Sequence, residues 1–284
     1  MAPDHARVAY LNAKRSVDER AFARPVREEL LAALPDAPVV FEAGAGTGVT
    51  VPRLLDWGVD AGRYRGVEQS ATLVEHAREA RADELDAAGY DVRRTDEEFR
   101  VRDLTVTYDE GDALAAVEET DPDLLVAQAF MDVVPLSEAV PAFERALSPG
   151  GLAYFPITFD GGTVFQPDHP DDDAVERAYH RAIDARPGRD SRAGRHLLDA
   201  LGRADGELLA VGASDWVVRP HGESYPDDEE FFLDCILDFV ADALADSDAL
   251  DATEWVETRR EQLAAAELSY VAHQYDLLYR APTA

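Results

Sequence analysis

The stretch V-V-F-E-A-G-A-G-T-G-V, Val39 to Val49, sets three glycines in five positions directly behind an apolar run that ends in a carboxylate. Val39, Val40 and Phe41 are β-branched or aromatic and read as a buried strand, while V-T-V-P-R-L-L-D-W, which follows Gly48, reads as a helix. Gly44, Gly46 and Gly48 therefore occupy a strand-to-helix turn, the place where an open parallel sheet binds ligands. Two phosphate-binding readings fail on spacing. A dinucleotide turn, G-x-G-x-x-G, needs its third glycine at position 49 or 51, and both are valine. A phosphate-cradling loop needs a lysine after its last glycine, and Lys14 is the only lysine in the chain.

Outward from the turn, strand and helix patterns alternate. R-Y-R-G-V-E, Arg63 to Glu68, is a short strand, and a helical pattern runs from Ser70, a plausible N-cap, to about Ala88. Phe99 to Tyr108 alternates as a third strand, with Asp91 to Arg94 as a hairpin partner. Asp123 to Phe130 is a fourth, and L-A-Y-F-P-I-T-F, after the helix stop L-S-P-G-G, is a fifth. Leu208 to Val218 and Leu268 to Arg280 complete a seven-stranded, mostly parallel, doubly wound Rossmann-like α/β sheet. Residues 1–37 are expected to form a helical cap of one or two helices, 38–165 the binding core, and 166–284 the remaining strands with helical insertions, all in a single domain. The helical insert from Tyr225 to Ala266 adds a wall to the site or a contact for a homodimer.

The charge balance is unusual: 58 acidic against 27 basic residues give −31, spread along the whole chain rather than gathered in a tail. With so little lysine, this is the pattern of proteins from salt-accumulating cytoplasms, and a halophilic source is expected. The absence of a basic stripe or nucleic-acid motif disfavours DNA and RNA as partners. No apolar run approaches the ~18 residues that cross a membrane, and M-A-P-D-H-A-R lacks a signal-peptide core, so a cytoplasmic protein is expected. Cys235 is the single cysteine and sits in an apolar pattern, as a buried structural thiol does.

The run E-x-G-x-G-x-G, Glu42 to Gly48, resembles motif I of the class I S-adenosylmethionine-dependent methyltransferases, and later elements match in order from Val39 to Phe155. The resemblance implies S-adenosylmethionine as cofactor, lying against Gly44, Ala45, Gly46 and Gly48. Glu68, with Gln69 beside it, falls where the family's acid accepts both ribose hydroxyls. Asp112 and Ala113 follow the third strand, where the family reads the adenine amino group. Gln128 and Ala129 end the fourth, at the methionine end of the ligand. Glu42 either meets the ligand or orders the turn. An N-terminal helix folded over the cofactor would let Tyr10, Lys14 or Arg15 reach the methionine carboxylate; the alternative is a solvated helix face.

Methyl transfer from a sulfonium is an in-line displacement, so positioning and dryness carry much of the catalysis and a general base serves only a poor nucleophile. Asp132, two residues beyond the fourth strand, is the candidate base or else a loop acid. His169 and His180 lack a metal spacing, and no metal is expected. In R-P-G-R-D-S-R-A-G-R-H, arginines recur at 186, 189, 192 and 195, and a helix capped by Asp190 or Ser191 would pair Arg192 with Arg195 as a clamp for an anionic small-molecule acceptor. Two other functions stay open: aminopropyl transfer, although Q-A-F-M-D supplies only Asp132 where a paired acid is usual, and a non-catalytic S-adenosylmethionine-binding protein. The composition makes one outcome measurable. The melting temperature is expected to climb between about 0.1 M and about 2 M KCl as salt screens the self-repulsion of the acidic chain; a flat curve would give the acidity another purpose.

Overall fold

In the computed structural model, residues 8–245 and 252–283 are described. The opening heptapeptide read above for a signal core, and residues 246–251 of the helical insert, lie outside them. Three helices, rather than one or two, come first: α1 (Val8–Ala13), α2 (Arg15–Ala21) and α3 (Arg24–Ala33), the last with Pro25 in its opening turn. The alternating part follows as β1 (Val39–Ala43), α4 (Thr50–Asp56), β2 (Ala61–Glu68) and α5 (Ala71–Ala87). Ser70 caps α5 by accepting from the Leu73 N–H at 3.4 Å.

The next region departs from the expectation of a single strand over Phe99 to Tyr108. β3 (Val92–Arg94) and β4 (Glu98–Val101) are antiparallel neighbours, and the chain reverses again at Arg102 into β5 (Asp103–Glu110), pairing Glu98 with Thr107. Arg102 makes that turn at φ 53°, a left-handed conformation that nothing in its side chain announces. α6 (Ala113–Val117), a β6 (Leu124–Val126) shorter than expected, α7 (Leu136–Ala146) and the long β7 (Leu152–Gln166) complete the parallel core. Beyond it lie α8 (Asp172–Asp184), α9 (Ala193–Leu201), β8 (Glu207–Ala213), β9 (Trp216–Val218), α10 (Glu229–Leu244), α11 (Thr253–Ala264) and β10 (Ser269–Arg280). The stretch expected as one strand over Leu208 to Val218 is thus two, β8 and β9, which lie one after the other along the same edge of β10.

These strands form one ten-stranded sheet in the order β3-β4-β5-β2-β1-β6-β7-β10-β8, with β9 also on β10. The seven strands counted in the sequence grow to ten through the β3–β4 hairpin and the division of β8 from β9. The pairs β1–β2, β2–β5, β1–β6 and β6–β7 are parallel, and β10 runs antiparallel to β7. Side chains alternate across this sheet: Val40 and Leu124 pack into one core with α3, α4 and α5, and Phe41 and Leu125 into another with α6, α7 and α9. A third core gathers α1, α2, α8, α10 and α11 against β7, β9 and β10. Among the described residues no helix is long and apolar enough to cross a membrane. Successive elements leave β1 in one direction and β6 in the other, which opens a crevice between those two strands.

One buried carboxylate joins the sheet to the N-terminal helices. Asp276 on β10 accepts from the Ala23 N–H at 2.9 Å, the Ile157 N–H at 2.9 Å and the Tyr154 hydroxyl at 3.0 Å. Ile157 sits at φ 58° opposite a register shift in β10, so the carboxylate satisfies a backbone group that the ladder has released. Replacing Asp276 by Ala leaves these donors buried without an acceptor and is expected to cost about 3 kcal/mol or more in urea unfolding. A cost below about 1 kcal/mol would mean the site relaxes or admits water.

Candidate functional site

The crevice widens into a cavity of about 710 Å³, within the roughly 300–1,000 Å³ of small-molecule sites. It is bounded by the glycine turn and the ends of β2 and β6 on one side, by α8, α10 and β10 on the other, and by α1. In the turn, the Gly44 and Ala45 N–H groups both donate to the Val67 carbonyl, at 2.9 and 3.1 Å. The Gly46 N–H donates to Glu68 Oε2 at 3.1 Å, and Glu68 Oε1 takes the Ser70 N–H at 3.0 Å. Turn and β2 acid hold each other, and each carboxylate oxygen keeps a further lone pair for a ligand.

All three glycines have positive φ, at 69°, 54° and 76°. What forbids a side chain differs at each. A Cβ on Gly44 would lie 2.6 Å from the Phe130 ring, and one on Gly48 2.5 Å from the Tyr108 hydroxyl, which itself donates to the Gly48 carbonyl at 3.0 Å. Gly48 does not line the cavity, so protein packing, not ligand approach, excludes its side chain. A Cβ on Gly46 would meet only Leu11, at 3.5 Å, so of the two glycines that line the cavity, Gly44 and Gly46, it is Gly46 whose side-chain space is left to the cavity. Glu42 lies beneath. Thr50 donates to it at 2.7 Å and the Tyr64 hydroxyl to its other oxygen. Burial pushes its carboxyl up to about 7 against those two hydrogen bonds and the nearby Arg53. Asp112 caps α6 through Oδ1, accepting from the Leu114 and Ala115 N–H groups at 2.8 and 3.3 Å, while Oδ2 has no protein partner among the described residues. Gln69, Ala113 and Ala129 line the same side, Ala129 at φ 48°.

Gln128 connects the sheet to the helical cap. Its Oε1 accepts from Arg53 at 2.7 Å and its Nε2 donates to Asp18 Oδ2 at 2.8 Å. Asp18 also takes the Trp216 indole N–H at 2.8 Å and pairs with Lys14 at 3.3 Å. Lys14 is thereby held in the cavity wall, 5.4 Å from the Trp216 ring centre. Arg15 is not in that wall; it turns away to Glu19 at 2.8 Å and Glu84 at 2.6 Å, one residue further round a helix that presents its other face to the site.

Asp132 lines the cavity. Enclosure raises its pKa, while a backbone hydrogen bond, Arg189 and Lys14 oppose that rise. The arginine cluster is arranged differently from the expected helical pair. Arg192 is exposed at the N-cap position of α9, its own N–H held by Asp190 at 2.9 Å, and Arg195 is committed to the buried Asp160 at 2.8 Å; neither lines the cavity. Arg186 and Arg189 do line it, from the turn between α8 and α9. That turn is drawn in because the Asp190 N–H donates to the Asp132 carbonyl at 3.1 Å and Gly188 packs against Pro135. The regular spacing of the arginines marks the segment; which of them face inward follows from this docking. Gln274, Tyr179 and Tyr270 also line the cavity without having stood out in the sequence.

No family model matches the chain, and no curated protein matches it by sequence. Among solved structures, a Bacillus halodurans protein provisionally designated a methyltransferase superposes with a TM-score of 0.53 at 16% identity, over 92% of this chain and 100% of its own. The two share one fold. A Geobacter sulfurreducens S-adenosylmethionine-dependent methyltransferase, solved with S-adenosylhomocysteine, aligns at a TM-score of 0.48 and 17% identity over 95% and 96% of the two chains.

The state of Glu42 has a measurable sign. From the free glutamate range near pH 4.3 up to about 7 the folded chain keeps a proton that the unfolded chain has released, so this residue makes stability fall as pH rises through that window. Parent and Glu42→Gln are expected to diverge there by roughly 2–3 kcal/mol in urea unfolding, with only the parent declining on this account. Parallel curves would mean that Glu42 ionises normally in the fold.

Proposed function

We propose that the cavity binds S-adenosylmethionine and that the chain transfers its methyl group to a small anionic acceptor. The observation that carries this reading is the pairing of Glu68 with the Gly46 N–H, which sets a carboxylate with spare lone pairs beside a glycine that opens on the cavity. That is the chemistry to hold vicinal hydroxyls against a backbone, and among the described residues no cation stands at the turn to answer a pyrophosphate. Asp112 Oδ2 and the Ala113 backbone suit the edge of an adenine, and Gln128, Lys14 and Ala129 suit an amino-acid end. The fold shared with the Bacillus halodurans protein supports the same assignment.

When bound, S-adenosylmethionine supplies an electrophilic methyl on a sulfonium. The chain's part is to orient acceptor and donor in line and to keep water out. Asp132 is the candidate general base for an acceptor hydroxyl or ammonium, and the enclosure that raises its pKa makes it a stronger base than an exposed aspartate. Arg186 and Arg189 replace Arg192 and Arg195 as the candidate anion-binding pair. The composition, −31 with a single lysine, supports a salt-rich cytoplasm as the setting.

Calorimetry on the pure protein is expected to show binding of S-adenosylmethionine or S-adenosylhomocysteine and none of NAD. Glu68→Ala should weaken it by about 1.5–3 kcal/mol, the range for hydrogen bonds to a charged group, and Gly46→Val should abolish it. Parent-like binding by both variants would place the ligand elsewhere.

A further inference from the structure

The side of the cavity away from the glycine turn carries its own pattern. Phe159, Tyr179, Ile183, Ile236 and Phe239 give it an aromatic and aliphatic lining. Into this lining come two cations and one amide. Arg186 and Arg189 form no ion pair among the described residues, although the chain has 58 acids to 27 bases and most of its cavity-side polar groups are tied to one another. Asp132, Tyr179, Arg186 and Arg189 line the same cavity, and burial raises the pKa of the Tyr179 hydroxyl while the two guanidinium groups lower it. Gln274 projects from β10; it is 1% exposed, it lines the cavity, and its Nε2 has no hydrogen-bond partner. A buried amide N–H left unmatched is costly, and a ligand oxygen would recover that cost.

We propose that this side holds a carboxylate acceptor with an apolar, preferably aromatic, body. Its carboxylate lies against Arg186 and Arg189, and one of the carboxylate oxygens also takes the hydrogen bond of Gln274 Nε2. The inference rests on the methyl-transfer reading only for the word acceptor; the binding claim stands on the residues named. A single negative charge is the better match. Acids stand close to these cations, Asp132 in the same cavity and Asp190 next to Arg189, and they offset part of the positive charge, which suits a carboxylate better than the −1.5 to −2 of a phosphate monoester. Planar carboxylates also fit a guanidinium fork bidentately.

The test uses 3-phenylpropanoate as probe, with 3-phenylpropanamide, phenyl phosphate and acetate beside it, titrated by ligand-observed NMR at about 0.5 M KCl to limit non-specific attraction. Titrations run on the free protein and on the protein saturated with S-adenosylhomocysteine. Phenylpropanoate is expected to bind about tenfold or more tightly than its amide, as for one charge-assisted contact, and more tightly than acetate and phenyl phosphate. The double variant Arg186→Gln/Arg189→Gln should remove that preference. Gln274→Leu should weaken phenylpropanoate several-fold, and Gln274→Glu more. In all three variants S-adenosylhomocysteine affinity should stay at the parent value. Equal binding of acid and amide, or an unchanged preference in the arginine variant, overturns the anion site; tighter phenyl phosphate overturns the single charge; equal acetate overturns the apolar body; no effect at Gln274 overturns its role. A parent protein that ignores S-adenosylhomocysteine but shows the probe pattern sinks the methyl-transfer reading and leaves this one standing.

Discussion

The hydrogen-bonded run from Arg53 through Gln128 to Asp18 joins three pieces of chain: the helix after the glycine turn, the end of β6 and the second N-terminal helix. Its members are largely buried, where a broken link leaves a charge or an amide with nothing to replace water. Asp18 is the branch point, since Trp216 and Lys14 also end on it. Arg53 is covered on one side by the Phe22 ring, 4.4 Å away, so the guanidinium is enclosed by the segment that follows α2. The cavity roof is therefore held by polar contacts whose loss is expensive as well as by the apolar face of the N-terminal helices. Four of these residues, Lys14, Asp18, Gln128 and Trp216, are also part of the cavity wall, so the groups that hold the roof also meet whatever the cavity contains.

Glu42 and Glu68 show how two acids near one turn divide their roles. Glu68 ends β2 at the cavity edge with backbone donors on both oxygens. Glu42 is 2% exposed, and its burial, with a small contribution from nearby Glu68, raises its pKa. Holding Glu42 toward its neutral form removes a charge from beneath the turn and leaves Glu68 as the acid at the cavity edge. Tyr64 and Thr50 spend their hydroxyls on Glu42 and so fix the floor of the turn without contributing to the cavity surface.

Much of this was legible in the sequence wherever the deciding forces are local. The glycine turn, the acid ending β2, the Ser70 cap and the alternation of strands with helices all follow from neighbours in the chain, and they place Glu42, Gly46, Glu68, Asp112, Gln128 and Asp132 around one cavity. The misreadings share a cause. Arg102 reverses the chain with no glycine or asparagine to announce it, so two strands looked like one. Arg15 was a fair candidate by position, but rotation about a helix axis sends it to Glu84 while Lys14 faces inward. Arg192 and Arg195 satisfied helical spacing, yet the arginines that reach the cavity sit in the preceding turn, pulled there by Asp132 and Pro135. Gln274 is an ordinary inward position of an alternating strand, and only its neighbours on β7 and α8 make it a cavity residue.

The place of β10 carries a consequence for how the molecule is made. Residues 269–280 come after every other element, yet they fill the gap between β7 and the β8–β9 edge, with Asp276 holding both Ala23 and Ile157. During synthesis the parallel core can pair as it emerges, but the far half of the sheet and the anchor of the first helices must wait for the last strand. Closing contacts between Ala23 and Asp276 spans nearly the whole chain, the kind of long-range pairing that slows folding. The nascent protein would thus expose the future walls of its cavity until the final strand slots in, and the cavity is the last thing to exist.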